Sequence, residues 1–216
     1  MVREILIYYF SATGNTLRIV KGFCEELEKN NIIPTTWKIE NGVFPIHNEF
    51  QLLCFAYPVH AWGMPLIVEE FLKNMPSSNG KKAFVIATMA GWRMKFKLGE
   101  NFILSNAKRK LERLGLEFIG GKCFVMPENF SIMYNPPDKT EAKNIIEKSV
   151  IEAREFAQNI KLGTTKRRFI RTPDFFIWCA INKLFKLGKT CGAFSNFFKV
   201  NDNCNSCGIC EKCCPT

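Results

Sequence analysis

Long apolar runs are missing from these 216 residues. The run Phe175–Ile181 (FFIWCAI) falls far short of the roughly 20 residues that a membrane-spanning helix needs, so no transmembrane segment is expected. Near the other end, Arg3 and Glu4 precede only the short stretch Ile5–Phe10 before a polar loop, which is not the pattern of a secretory signal. No internal repeat and no low-complexity tract occurs. Paired carboxylates and nucleophile–base constellations are also absent, which argues against hydrolysis and leaves no catalytic residue to assign. The ten cysteines lack the even spacing of a disulfide scaffold. Cys24, Cys54, Cys123, Cys179 and Cys191 are scattered, whereas Cys204, Cys207, Cys210, Cys213 and Cys214 crowd together. That crowding points to a metal or cluster in a reducing compartment, and hence to the cytoplasm. Acidic residues are scarce in one segment. Lys161–Lys199 holds nine Lys or Arg and a single acid, Asp174, and so carries most of the formal +10 of the chain.

What is present reads as globular, with 47% hydrophobic and 23% charged residues. Apolar runs that suit strands lie at Glu4–Phe10, Thr35–Ile39, Leu52–Tyr57, Ala83–Thr88 and Cys123–Met126. Helical spacing falls between and after them, at Thr16–Asn30, Pro65–Asn74, Asn101–Leu114 and Thr140–Leu162. EILIYYF, LLCFAY and AFVIAT are nearly continuous in apolar residues, as strands covered on both faces must be. Strands alternating with helices predict an α/β fold with a doubly wound, five-stranded parallel sheet over residues 1–162. Ligands of such sheets bind at the carboxyl ends of the strands. Residues 163–200 read as a basic, aromatic-rich linker containing a short helix, and 201–216 as a separate cysteine motif.

The first strand ends in Ser11-Ala12-Thr13-Gly14-Asn15-Thr16, and a helix follows at once. Small residues let the backbone close around a ligand, and Gly14 gives access to unusual dihedrals. Free helix amides together with the hydroxyls of Ser11, Thr13 and Thr16 would make an anion site. The loop has no Lys, unlike the nucleoside-triphosphate loop, and no Gly-x-G-x-x-G spacing, so a terminal monophosphate is the expected ligand. The alternative is an ordinary helix cap with Ser11 or Thr13 as the capping oxygen. Two further loops follow strands on the same edge: Tyr57–Pro65 (YPVHAWGMP) and Thr88–Met94 (TMAGWRM). Each offers a Gly and a Trp, and a Trp on a loop suits stacking on a flat heterocycle. His60 is either a ligand contact or a bystander.

Three loops of this kind in this order resemble the flavodoxin family, whose ligand is FMN. The resemblance covers roughly residues 2–160 and implies a flavodoxin-like fold. It also implies that Ser11, Thr13, Gly14, Asn15 and Thr16 hold the phosphate. Pro58, Val59, His60, Ala61, Trp62 and Gly63 on one side, and Thr88, Met89, Ala90, Gly91 and Trp92 on the other, would flank the flavin ring, with Trp62 and Trp92 as stacking candidates.

The sequence CNSCGICEKCCP contains Cys204-x2-Cys207-x2-Cys210-x3-Cys214-Pro215. Closely spaced thiolates around Gly208 can cap the corners of a [4Fe–4S] cluster, and this is the spacing of bacterial ferredoxins. Zinc is the competing reading, but a second knuckle is missing. The order of segments, the YFSATGNT and YPVHAWGMP loops, MPENF at Met126–Phe130 and CGICEKCCP together resemble the EFR-type flavodoxin–ferredoxin fusion proteins of anaerobes. Those fusions carry two cysteine motifs. By the resemblance this chain is a shortened version with an incomplete ferredoxin-like motif, expected to bind flavin well and a cluster poorly. Cys213 has no assigned role.

The function that follows is electron transfer between FMN, a [4Fe–4S] centre and redox partner proteins; the alternative is an FMN-dependent reductase of a quinone or other small acceptor. The positive charge of 161–199 favours acidic partners. Its aromatic residues interleave with Lys and Arg as in single-strand binders, but no recognition motif accompanies them and no nucleic-acid partner is expected. The simpler reading has Phe175, Phe176, Trp178, Leu184, Phe185 and Leu187 buried against the α/β domain with the charges solvated.

Overall fold

The computed structural model describes residues 3–41, 49–76, 80–91, 99–129, 135–161, 175–190 and 199–213. Five strands, β1 (Glu4–Tyr9), β2 (Ile33–Lys38), β3 (Leu52–Pro58), β4 (Lys82–Met89) and β5 (Glu117–Val125), form one sheet in the order β2-β1-β3-β4-β5. Every pairing is parallel. The helices are α1 (Asn15–Lys29), α2 (Leu66–Asn74), α3 (Glu100–Glu112), α4 (Lys139–Lys161), α5 (Phe175–Thr190) and the short α6 (Ile209–Cys213).

Strand alternation sorts the core into two layers. Leu6, Tyr8, Leu53, Phe55, Tyr57, Val85 and Ala87 face α2 and α3, packing with Val68, Phe71, Ile103 and Leu104. Ile5, Ile7, Cys54, Phe84 and Ile86 face the other way, toward Ile19, Phe23 and Leu27 of α1 and Phe156 and Ile160 of α4. Both faces of β1, β3 and β4 are thus covered, which is why these strands read as unbroken apolar runs.

The predicted fold class stands: the sheet is five-stranded, parallel and doubly wound, with a helical segment after it. The predicted boundaries agree for β1, β3 and β4 within a residue or so, but β5 begins at Glu117 rather than at Cys123. Gly120 and Gly121 both lie within the strand. The pairing with β4 shifts register at Ala83/Phe84, opposite Gly120, whose φ is +145°. A Cβ on Gly121 would lie 2.8 Å from the Val85 carbonyl oxygen and 2.9 Å from Leu104 Cδ2. These glycines admit a bulge and close packing of α3, the usual meaning of glycine inside a strand.

Helix α5 also corrects an expectation. Phe176, Leu184 and Leu187 are 75%, 67% and 60% exposed instead of buried. The side chains of Phe175, Trp178 and Phe185 lie outside the described set. Among the described side chains of α5 the buried one is the polar Asn182. Among the described residues no helix is long and apolar enough to cross a membrane.

Candidate cofactor site

The carboxyl ends of the strands are stitched to one another before the loops depart. Phe10 N donates to the Ala56 carbonyl (2.9 Å), Val59 N to Thr88 (2.7 Å) and Met126 N to Met89 (2.8 Å). The loops after β1, β3, β4 and β5 are therefore rooted along a single sheet edge. The strand order reverses between β1 and β3, and it is at such a switch point that doubly wound sheets leave a crevice for ligands.

The loop after β1 is tied down on both sides. Asn129 Nδ2 donates to Thr13 Oγ1 (2.7 Å), and Asn15 Nδ2 donates to the Pro127 carbonyl (3.2 Å). Ser11 Oγ accepts the Leu17 amide (3.1 Å), so the capping reading of Ser11 is realised at the third residue of α1. The N-cap position itself is Gly14, left-handed at φ +88°, with no side-chain cap. A Cβ there would meet nothing within 4 Å, so glycine serves the dihedral rather than close packing. The first turn of α1 has no acid, which leaves the positive end of its dipole unopposed. Ala12 and Thr13 are exposed, and Ser11, Gly14 and Asn15 are half-buried. Thr16 differs from the reading of the sequence. It is 1% exposed, and its hydroxyl lies 2.8 Å from that of Thr88, itself 3% exposed. In this arrangement the two threonines join the first loop to the end of β4.

After β3 the chain makes a tight reversal. His60 and Gly63 form an antiparallel bridge through two 3.0 Å backbone hydrogen bonds. Between them Ala61 and Trp62 both have positive φ, +46° and +60°, the combination that a two-residue type I′ turn requires and that favours Asn or Gly. Pro58 to Trp62 are half-buried and Gly63 is buried. The Trp62 ring lies against the start of α3, where a Cβ on Gly99 would sit 2.6 Å from Trp62 Cδ1. After β4, Met89 is buried and Ala90 and Gly91 are half-buried, while Trp92 and Phe130 lie outside the described residues.

Sequence reasoning missed Asn182. Its Nδ2 donates to the Ala61 carbonyl (2.6 Å), bringing α5 onto this turn. The signal was a lone amide within the apolar helical run FFIWCAINKLF.

The cysteines divide by environment. Burial, with Glu28 and Glu25 adding to it, pushes the Cys24 thiol up to about 12. Burial also pushes Cys54 well above the ordinary thiol range. Cys204, Cys207 and Cys210 are exposed, on a turn where Ser206 and Gly208 have positive φ. Cys214 lies outside the described residues. Among the described residues no three His, Cys, Asp or Glu side chains converge as a metal-binding group.

Comparison with family models and with curated proteins finds no match. Solved structures do resemble the chain. A short-chain flavodoxin associated with a non-canonical PDU bacterial microcompartment aligns with 76% of this chain and 99% of its own, at 15% identity and a TM-score of 0.52. The flavodoxin of Streptococcus pneumoniae TIGR4 aligns with 74% of this chain and 98% of its own, at 14% identity and a TM-score of 0.49. Rubredoxin oxygen:oxidoreductase from Desulfovibrio gigas aligns through 37% of its length with 72% of this chain, at 11% identity and a TM-score of 0.44. The first of these, with the strand order β2-β1-β3-β4-β5, establishes a flavodoxin-like fold.

Proposed function

We propose that this chain binds FMN at the carboxyl edge of its sheet and acts as an electron carrier between redox proteins. The observation that carries the reading is the joining of the first loop to the end of β4 and to the loop after β5, through Thr16–Thr88, Asn15–Pro127 and Thr13–Asn129, around a start of α1 whose N-cap is Gly14. The donor set suits a phosphate monoester: hydroxyls and amides, with no carboxylate in the loop to repel it. Ser11, Thr13, Gly14 and Asn15 would hold the phosphate, with Thr16 and Thr88 setting the loop's position. The segments 58–63 and 88–91 would border the ring. Bound FMN would supply one- or two-electron exchange, which protein side chains cannot perform. Titration of the purified chain with FMN, followed by quenching of flavin fluorescence, is expected to saturate at one FMN per chain. Absence of saturation would remove the reading.

The same proposal takes 201–216 as the iron–sulfur motif of a flavodoxin–ferredoxin fusion of the EFR type, in a reducing compartment and with acidic redox partners. Its support is the C-x2-C-x2-C-x3-C-P spacing. The three described thiols do not converge, so no electron-transfer step is derived through a cluster. Whatever iron and sulfide the chain takes up on anaerobic reconstitution is expected to be lost on replacing Cys204, Cys207 or Cys210 by Ser. Iron uptake unchanged in all three variants would discard the motif.

A further inference from the structure

Helix α5 follows the α/β domain and precedes the cysteine-rich segment, yet its one described buried polar side chain reaches back to the turn after β3. Asn182 is 6% exposed, and its amide donates to the Ala61 carbonyl at 2.6 Å. The same amide lies directly over Gly63: a Cβ built on Gly63 would come within 2.5 Å of Asn182 Nδ2, so any larger residue there would push it away. The carbonyl it holds belongs to the peptide between Ala61 and Trp62, two non-glycine residues in the left-handed region. Such residues are held there only when their surroundings determine it. Turning this one peptide over would convert the turn to its type II′ form, which relieves Trp62 of its positive φ but places Ala61 where glycine is favoured. A donor fixed on the Ala61 carbonyl opposes that rotation.

We propose that Asn182 is a positioning residue that latches α5 to the His60–Gly63 turn, so that the arrangement of the turn and the docking of the helix change together. Because the turn borders the edge assigned to FMN, this inference rests on that reading for its ligand. It adds that occupancy of the edge is coupled to the helix leading to the cysteine segment. Coupling of this kind is reciprocal: a ligand that favours the latched turn favours docked α5, and docked α5 favours the ligand.

The test is amide hydrogen exchange, read by mass spectrometry on the full 216-residue chain with and without FMN. Without FMN, Asn182→Leu removes the donor, and Asn182→Asp keeps the shape but sets an acceptor against the carbonyl. Both should speed exchange about tenfold in peptides covering 60–63 and 175–190, the effect of losing one buried hydrogen bond. Gly63→Ala should do the same from the other side of the contact. With FMN, the unaltered chain should show slower exchange in 175–190, and the Asn182 variants should show no such slowing there. Equal exchange in 60–63 for the unaltered chain and both Asn182 variants would overturn the latch. FMN binding that leaves 175–190 unchanged in the unaltered chain would overturn the coupling. If FMN fails to bind at all, the FMN reading falls, and the ligand-free comparison alone decides whether Asn182 holds the turn. If Asn182→Leu does not fold, Asn182→Asp and Gly63→Ala carry the same comparison.

Discussion

Riboflavin is expected to bind this chain at least about 100-fold more weakly than FMN, the two ligands differing only in the phosphate. Two charge-assisted hydrogen bonds at roughly 1.5 kcal/mol each already amount to that ratio. The loop offers more than two donors: the Thr13 hydroxyl, which is exposed, and the backbone amides of Asn15 and Thr16 at the start of α1, the third amide, of Leu17, being held by Ser11 Oγ. The helix dipole adds to the attraction, because the first turn holds no acid. Thr13→Val removes a hydroxyl donor, together with the partner of Asn129 Nδ2, and is expected to weaken FMN by at least about tenfold while leaving riboflavin nearly unchanged. Isothermal titration of both ligands against both proteins checks the pair. Equal affinity for FMN and riboflavin would show that the phosphate lies elsewhere.

Phe84→Ala is expected to destabilise the fold by about 3–5 kcal/mol, the range for removing a fully buried aromatic ring. Phe84 is 0% exposed on the interior strand β4. Its ring meets Phe23 of α1 at 5.6 Å and Phe156 of α4 at 6.0 Å between centroids. One side chain therefore joins the sheet to both helices of that layer. Against a typical total stability of roughly 5–15 kcal/mol this is a large fraction. Urea unfolding should show a lower midpoint at unchanged slope. Ile33→Ala is the control: Ile33 is 62% exposed at the start of the edge strand β2, so a change within about 0.5 kcal/mol is expected. A midpoint equal for Phe84→Ala and the unaltered chain would mean that the two helices do not pack on β4 as described.

The sheet itself was legible because burial on both faces leaves a signature in composition. EILIYYF, LLCFAY and AFVIAT have no polar face, and the helices between them supply the cover. The position of the first loop was legible because small and hydroxylated residues mark the place where a strand gives way to a helix. β5 was legible only in its second half, because its first half, with Gly120 and Gly121 in it, lacks a continuous apolar run. What keeps them in a strand is the neighbouring strand and α3, both distant in sequence.

Within the site the sequence determined which residue types gather at the sheet edge, and the tertiary structure decided what each touches. Thr13 and Thr16 are alike on paper, both hydroxyls of the same loop. Folding leaves Thr13 exposed and buries Thr16 against Thr88, 72 residues away. Trp62 reads as a stacking ring, and folding lays it beside Gly99. In α5 the apolar residues Phe176, Leu184 and Leu187 suggested the buried side, yet the contact with the turn comes from Asn182, 121 residues from its partner carbonyl. Hydrophobicity is a property of each residue and survives in the sequence as a pattern. A hydrogen bond between distant residues depends on two groups meeting at one distance and angle, and only the folded chain sets both.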